Sequence, residues 1–296
     1  MSKKRILVAV MNWGLGHATR SIPVINALQN EHYEPMVASD GAALQLLKKE
    51  FPELTHLELP GYNIQYAKKG WLLNWKIIAQ TSHIRKTIAA EKEKTRQIIK
   101  DYQIEGIISD NRFGVYSDDL KTNVFITHQI HVLSGITTFL STFINRKHLK
   151  NFDQIWIPDY ASTERNLSGK LSHVDDLPEQ CTYIGALSRF EKREIEIKYK
   201  HLLLLSGPEP QRSLLEEKLL ACFSNTNDSI LLVRGVISEE EQLSSTNSNL
   251  QIRNYLFGRE LEEAINSSET IIARSGYTTL MDLAKLEKKA FFIPTP

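Results

Sequence analysis

Three short stretches carry side chains able to do chemistry, and each begins where an apolar run ends. VAVMNWGLGHATRS supplies Gly14, Gly16 and His17; ISDNRFG supplies Asp110; IIARSGYTTLMDLAKL supplies Ser275, Gly276, Thr278 and Thr279. Glycines let the backbone turn sharply and approach a ligand. An imidazole beside them can take up a proton near neutral pH. Asp110 is a second candidate base, or an orienter of an acceptor hydroxyl. In the third stretch, hydroxyls and backbone N–H groups gather at the start of an amphipathic helix, whose positive end suits a diphosphate. Each has an ordinary alternative: His17 packing at a helix start, Asp110 shaping a loop, Ser275 or Thr278 acting as an N-cap. The location of His17, at a strand end between glycines and a helix, favours a functional role. THQIH places His128 and His131 three apart, but no third ligand stands at a suitable spacing, so no metal site is expected.

The composition narrows the classes of function. With 296 residues the chain can build two cores, and its net charge of +1 gives no general reason to expect nucleic acid. Two distant cysteines, Cys181 and Cys222, suggest neither a disulfide framework nor a zinc site, and a reducing cytoplasm fits best. The basic start MSKKR leads into a short apolar segment without a cleavage signal, which reads as a strand. No uninterrupted apolar run approaches the ~18 residues of a membrane span.

The elements that must position these residues alternate. Strands are expected over 5–11, 34–39, 54–59, 106–109, 123–127 and 154–158, and helices over 19–30, 42–49 and 72–102. Residues 161–200 lose the rhythm and read as a connector. Strands then return in HLLLLSGPEPQ, SILLVRG, LQIRNYL, ETIIARSG and KKAFFIPTP, with helices over 211–223, 259–267 and 278–286. Such alternation predicts α/β architecture with two Rossmann-like doubly wound domains, 1–160 and 201–296, ligands binding beyond the strands' carboxyl ends in a cleft between them.

GLGHATRS, SGPEPQR and RSGYTTLMDLAKLEKKAFFIPTP together resemble the MurG-like nucleotide-sugar glycosyltransferases of family 28, over nearly the whole chain. The resemblance implies the GT-B fold, with acceptor bound by the N-terminal domain and donor by the C-terminal one. It implies that Ser275, Gly276 and Thr279 hold the donor diphosphate, with Ser206 and Gly207 facing it, and that Arg234 and the loop from Asn254 to Phe257 surround the base and ribose. Gly14, Gly16 and His17 would lie by the donor phosphates and acceptor. Family members carry further donor-binding residues after the PTP strand, so the C-terminal domain is expected to be incomplete and the gene to continue past Pro296.

The expected function is an inverting glycosyltransferase that uses a nucleotide sugar, UDP-linked as the first choice, and needs no cofactor or metal. A sugar, a lipid-linked group or a glycan would be the acceptor. The alternatives are a nucleotide-sugar hydrolase or epimerase on the same fold, and a nucleotide-sugar-binding protein without turnover. GWLLNWKIIAQ sets Trp71 and Trp75 on one helical face beside lysines, which is explained by core packing or, as a second reading, by peripheral contact with the inner membrane face.

Overall fold

The computed structural model describes residues 3–62, 81–207, 209–236 and 249–294. The chain divides into two compact units, the first ending at Leu187 and the second starting at Ser188. The first unit contains β1 (Arg5–Val10), α1 (Gly16–Asn30), β2 (Glu34–Ser39), α2 (Gly41–Glu50), β3 (His56–Glu58), α3 (Thr81–Tyr102), β4 (Gly106–Asp110), β5 (Asn123–Ile126), α4 (Thr138–Leu149), β6 (Gln154–Ile157) and β7 (Cys181–Tyr183). Its strands form one parallel sheet in the order β3-β2-β1-β4-β5-β6-β7.

The second unit repeats the plan with β8 (Tyr199–Leu204), α5 (Gln211–Cys222), β9 (Ile230–Val233), β10 (Leu250–Arg253), α6 (Gly258–Asn266), β11 (Ser268–Arg274), α7 (Tyr277–Lys285) and β12 (Ala290–Ile293). Its order is β10-β9-β8-β11-β12, again parallel. Parallel strands covered by helices are buried on both faces, which is why GIISD, NVFI and ILLV are buried along their whole length. Alternation divides one strand between two layers: Leu202 packs with Ile265, Ile271 and Leu283, while Leu203 packs with Leu219, Leu232 and Ile252 on the other face.

Both sheets reverse direction of winding at one place. In the first, successive strands step outward from β1 to β3, then return to β4 beside β1; in the second, β8 and β11 take the same places. Loops leaving neighbouring strands diverge at such a switch point and open a crevice at the carboxyl ends.

Two elements depart from the sequence expectation. The connector expected over 161–200 is shared between the units: Cys181–Tyr183 forms β7, pairing with β6 at the edge of the first sheet. Three residues are too few for a periodic signal. The second is α4, which stands between β5 and β6 where no helix is expected. Of the long helix expected over 72–102, the described part begins at Thr81, and Trp71 and Trp75 lie outside the described residues.

Candidate active site

The register of the first sheet sets Val10, the last residue of β1, opposite Asp110, the last of β4. The glycine loop therefore leaves the sheet beside the aspartate. Gly14 takes φ +76°, a conformation open to glycine at little cost, whereas Gly16 is the first residue of α1 rather than part of the turn. His17 consequently lies in the first turn of the helix, with Arg20 and Ser21 one turn on and directed to the same side.

These side chains close on Asp110. His17 Nδ1 is 2.8 Å from Asp110 Oδ1, Arg20 Nε donates to Oδ2 at 2.7 Å, and Arg20 Nη2 donates to Oδ1. Ser21 Oγ, held by the carbonyl of His17 at 2.9 Å, also reaches Oδ2 at 3.4 Å. Arg20 Nη1 lies 3.2 Å from His128 Nδ1, at the end of β5. Arg20 and Asp110 are almost completely buried, at 2% and 1% exposure, and the His17 side chain keeps 14%.

The electrostatics follow from that packing. Burial alone would raise Asp110, but the Arg20 guanidinium and His17 more than reverse it and hold the carboxyl far below the usual range. Burial, followed by the charge of Arg20, lowers His17; the same two causes bring His128 down to about 3. Both imidazoles are therefore neutral at neutral pH. Two groups meet His17 Nδ1: the ionised Asp110 carboxylate, which can only accept, and Arg20 Nη2 at 2.9 Å, which can only donate. The shorter, charge-assisted contact to Asp110 favours the tautomer with its proton on Nδ1 and the lone pair on Nε2. Arg20, which can only donate, favours the opposite tautomer at His128. Among the described residues no group of three His, Cys, Asp or Glu side chains could hold a metal ion.

A second network fixes the backbone beneath the cluster. Fully buried Arg112 donates from Nε to Val10 O at 2.7 Å, from Nη1 to Glu91 Oε1 at 2.8 Å and to Pro60 O at 3.0 Å, and pairs through Nη2 with Asp40. Asn12 Nδ2 donates to the other Asp40 oxygen at 3.0 Å. The ends of β1, β2 and β4 are thus joined through one guanidinium. Burial raises the Glu91 carboxyl above its ordinary range against the pull of Arg112.

In the second unit, Leu204 pairs with Ala273 across β8 and β11, so Ser206 and Ser275 each leave the sheet two residues beyond a shared register point. Gly207 has φ +104°. Gly276, not Ser275 or Thr278, occupies the N-cap of α7 and contributes no side-chain cap; a Cβ added there would meet Thr279 Oγ1 at 3.7 Å. The helix end is thus presented through its backbone. Arg274, just before it, is 5% exposed; Nη1 donates to Pro294 O at 3.0 Å, and Nε and Nη2 have no hydrogen-bond partner among the described residues. Arg234 Nη1 donates to Asn254 Oδ1 at 3.2 Å, and its Nε donates to Glu216 Oε1 at 2.6 Å. Glu216 Oε2 accepts from Arg212 at 2.8 Å. Phe257 caps α6 and packs its ring 4.6 Å from that of Tyr255.

Within the first unit, His17 and Asp110 come together as candidates. Arg20 and Ser21, which join them, and Arg112, which ties the backbone beneath, have no role in the sequence analysis. Spacing could have revealed Arg20 and Ser21, since i+3 and i+4 from His17 share its helical face. Nothing local marks Arg112, whose partners come from residues 10, 40, 60 and 91.

Comparison with known proteins agrees with this architecture. The model for glycosyl transferase family 1 matches residues 4–126, and the model for the glycosyltransferase family 28 C-terminal domain matches residues 209–296. An uncharacterized glycosyltransferase of Methanosarcina acetivorans is 21% identical, over 94% of this chain and 76% of its own. Acinetobacter baumannii MurG superposes with TM-score 0.56 at 14% identity, covering 99% of this chain and 79% of that one. The spinosyn rhamnosyltransferase SpnG complexed with thymidine diphosphate gives 0.63 at 14%, covering 99% and 81%. Phytolacca americana UGT2, complexed with UDP-2-fluoro-glucose and pterostilbene, gives 0.64 at 11%, covering 99% and 80%. Two parallel α/β sheets, each with a switch point, have the GT-B fold, and the two domain models together support a family-28-like glycosyltransferase.

Proposed function

We propose that the chain transfers a sugar from a nucleoside diphosphate sugar, UDP-linked as the first choice, to an acceptor hydroxyl with inversion at the anomeric carbon. The observation that carries this reading is the His17–Asp110–Arg20 cluster at the switch point of the first sheet. His17 Nε2 takes the hydroxyl proton as the acceptor oxygen forms its bond to the anomeric carbon. The bond from that carbon to the phosphate oxygen breaks on the opposite side, and the diphosphate leaves with the electron pair. Asp110 holds the imidazole through Nδ1 and stabilises its charge once protonated; Arg20 fixes Asp110.

The donor falls to the second unit. The N-terminus of α7, with Ser275, Gly276 and Thr279, meets the charge of the diphosphate, with no cofactor beyond the donor itself. Ser206 and Gly207 leave the neighbouring strand, and Arg234, Asn254 and Phe257 line the base and ribose. The buried Nε and Nη2 of Arg274, without a hydrogen-bond partner among the described residues, support an anionic ligand nearby. Relatives of the same fold that were solved with thymidine diphosphate and with a UDP-sugar analogue support a nucleotide-sugar donor.

The test has two stages. Thermal shift with UDP, GDP and dTDP sugars identifies the donor, since a ligand at 100 times its Kd stabilises by ~2.7 kcal/mol. Product analysis with a sugar, lipid-linked or glycan acceptor then reads the anomeric configuration. Opposite configuration in product and donor is expected. Retention, or free sugar released equally well without acceptor, contradicts the reading, and the latter result selects hydrolysis.

A further inference from the structure

Helix α4 has its polarity reversed. Its outward side carries Phe139, Leu140, Phe143 and Ile144, exposed by 85%, 58%, 61% and 44%. Its inward side carries Thr138, Ser141, Thr142 and Asn145, which bind the preceding loop: Thr138 Oγ1 accepts from Ser134 N, Thr142 Oγ1 from Val132 N and Ser141 Oγ from Ser134 Oγ, each at 3.0 Å, while Asn145 Nδ2 donates to Gln129 O at 2.8 Å. A surface helix of a globular domain ordinarily buries its apolar stripe and presents polar residues to water. Here four hydrogen bonds use the polar residues to hold the apolar stripe outside. Leu133, 58% exposed, lies just ahead of the helix and adds to the apolar surface.

Charge identifies the partner. From residue 120 to 152 the sequence has no acidic residue and four Lys or Arg: Lys121, Arg146, Lys147 and Lys150. Arg146 is engaged by Asp176, with Nη2 to Oδ1 at 2.8 Å. Lys147 and Lys150 are exposed and continue the apolar face toward the helix C-terminus. The stripe is therefore apolar over its first two turns and basic at its end. No helix among the described residues is long and apolar enough to cross a membrane.

We propose that α4 is a peripheral docking surface for an anionic lipid bilayer, with Phe139, Leu140, Phe143 and Ile144 entering the headgroup and acyl boundary and Lys147 and Lys150 meeting lipid phosphates. An amphipathic interfacial helix binds through these two contributions, buried apolar area and attraction to anionic headgroups. Helix α4 begins ten residues after His128 in the chain, and its docking does not depend on the donor and base assignments.

Vesicle co-sedimentation of the full chain tests it, with phosphatidylcholine alone and with phosphatidylglycerol added. The wild type should bind the anionic vesicles more strongly. Phe139→Ser with Phe143→Ser should lower binding to both kinds by about tenfold or more. Lys147→Glu with Lys150→Glu should abolish the preference for phosphatidylglycerol. Both variants should keep the wild-type Tm, because the replaced side chains are exposed. The proposal is overturned by absence of wild-type binding, by binding that survives the double serine change, or by a large fall in Tm, which would show the face to be covered in solution. Sedimentation equilibrium supplies one further contrary outcome: a wild-type dimer that becomes monomeric in the serine variant, with no vesicle binding, would assign the face to a second copy of the chain.

Discussion

Arg20 and Asp110 meet side by side, Nε to Oδ2 at 2.7 Å and Nη2 to Oδ1, with both side chains almost wholly out of water. The carboxylate that accepts from His17 therefore cannot turn. Arginine suits this place because its planar fork matches both oxygens at once. Removing one member leaves the other charged and buried, so Arg20→Met should destabilise the fold by ~3–5 kcal/mol. Arg20→Met combined with Asp110→Asn should be less destabilised than the sum of the single changes, by ~1–3 kcal/mol in urea unfolding. Strict additivity would show that the two groups do not depend on each other.

The two histidines around Arg20 give the protein an acid-sensitive fold. His128 falls from an ordinary value of 6.5 to about 3, so between those pH values the unfolded chain takes a proton that the folded chain refuses. The unfolded state then binds more protons, and stability falls as the pH falls through that window, by up to ~1.36 kcal/mol per pH unit from this residue. His17, also lowered, adds with the same sign. His128→Asn should flatten the pH dependence of the unfolding free energy below pH 6.5; an unchanged slope would show that His128 is protonated in the folded state.

At the other site, Gly276→Val should act on the donor. A side chain there stands at the N-cap of α7, within contact distance of Thr279 Oγ1, over the backbone donors assigned to the diphosphate. The backbone at Gly276 has φ −68° and ψ 137°, which other residues adopt readily, so stability should change little. Calorimetric titration should show nucleotide affinity reduced at least ~10-fold, the loss of about 1.4 kcal/mol of binding energy. Equal affinity with equal Tm would remove this helix end from the donor site.

Asp282, on α7, titrates in the opposite direction. It accepts from Ser188 Oγ at 2.6 Å, and although part of the residue reaches solvent, burial of its carboxyl pushes it up to about 7 against the pull of Ser188 and Arg189. The folded state thus holds a proton that the unfolded state has lost, so this residue's contribution diminishes as pH rises from the ordinary 3.8 toward 7. Asp282→Asn should raise Tm more at pH 8 than at pH 5. A uniform change at both values would place the carboxyl in water.

Much of this was legible in the sequence because parallel strands buried on both faces leave short apolar runs, and the residues just after them are the ones a switch point exposes. Gly14, His17, Asp110, Ser275 and Gly276 all follow that rule. Arg20 and Ser21 were within reach by helical spacing from His17, at i+3 and i+4 on its face. Arg112 was not legible, since its role depends on four partners scattered from Val10 to Glu91. Helix α4 has no counterpart among the expected helices, and its outward apolar face was not legible because hydrophobic periodicity marks a face without saying which way it points. β7 carries only three residues, too few to repeat a pattern.

The central claim is that His17 is the base, oriented by Asp110. It is tested most directly by measuring turnover per folded molecule and donor affinity in His17→Ala, in parallel with Tm. The account predicts turnover lowered by ~10² to 10⁴, the range for losing a general base, with donor affinity within a few fold of wild type. Unchanged turnover accompanied by a fall in Tm would contradict it, making His17 a packing residue at the start of α1.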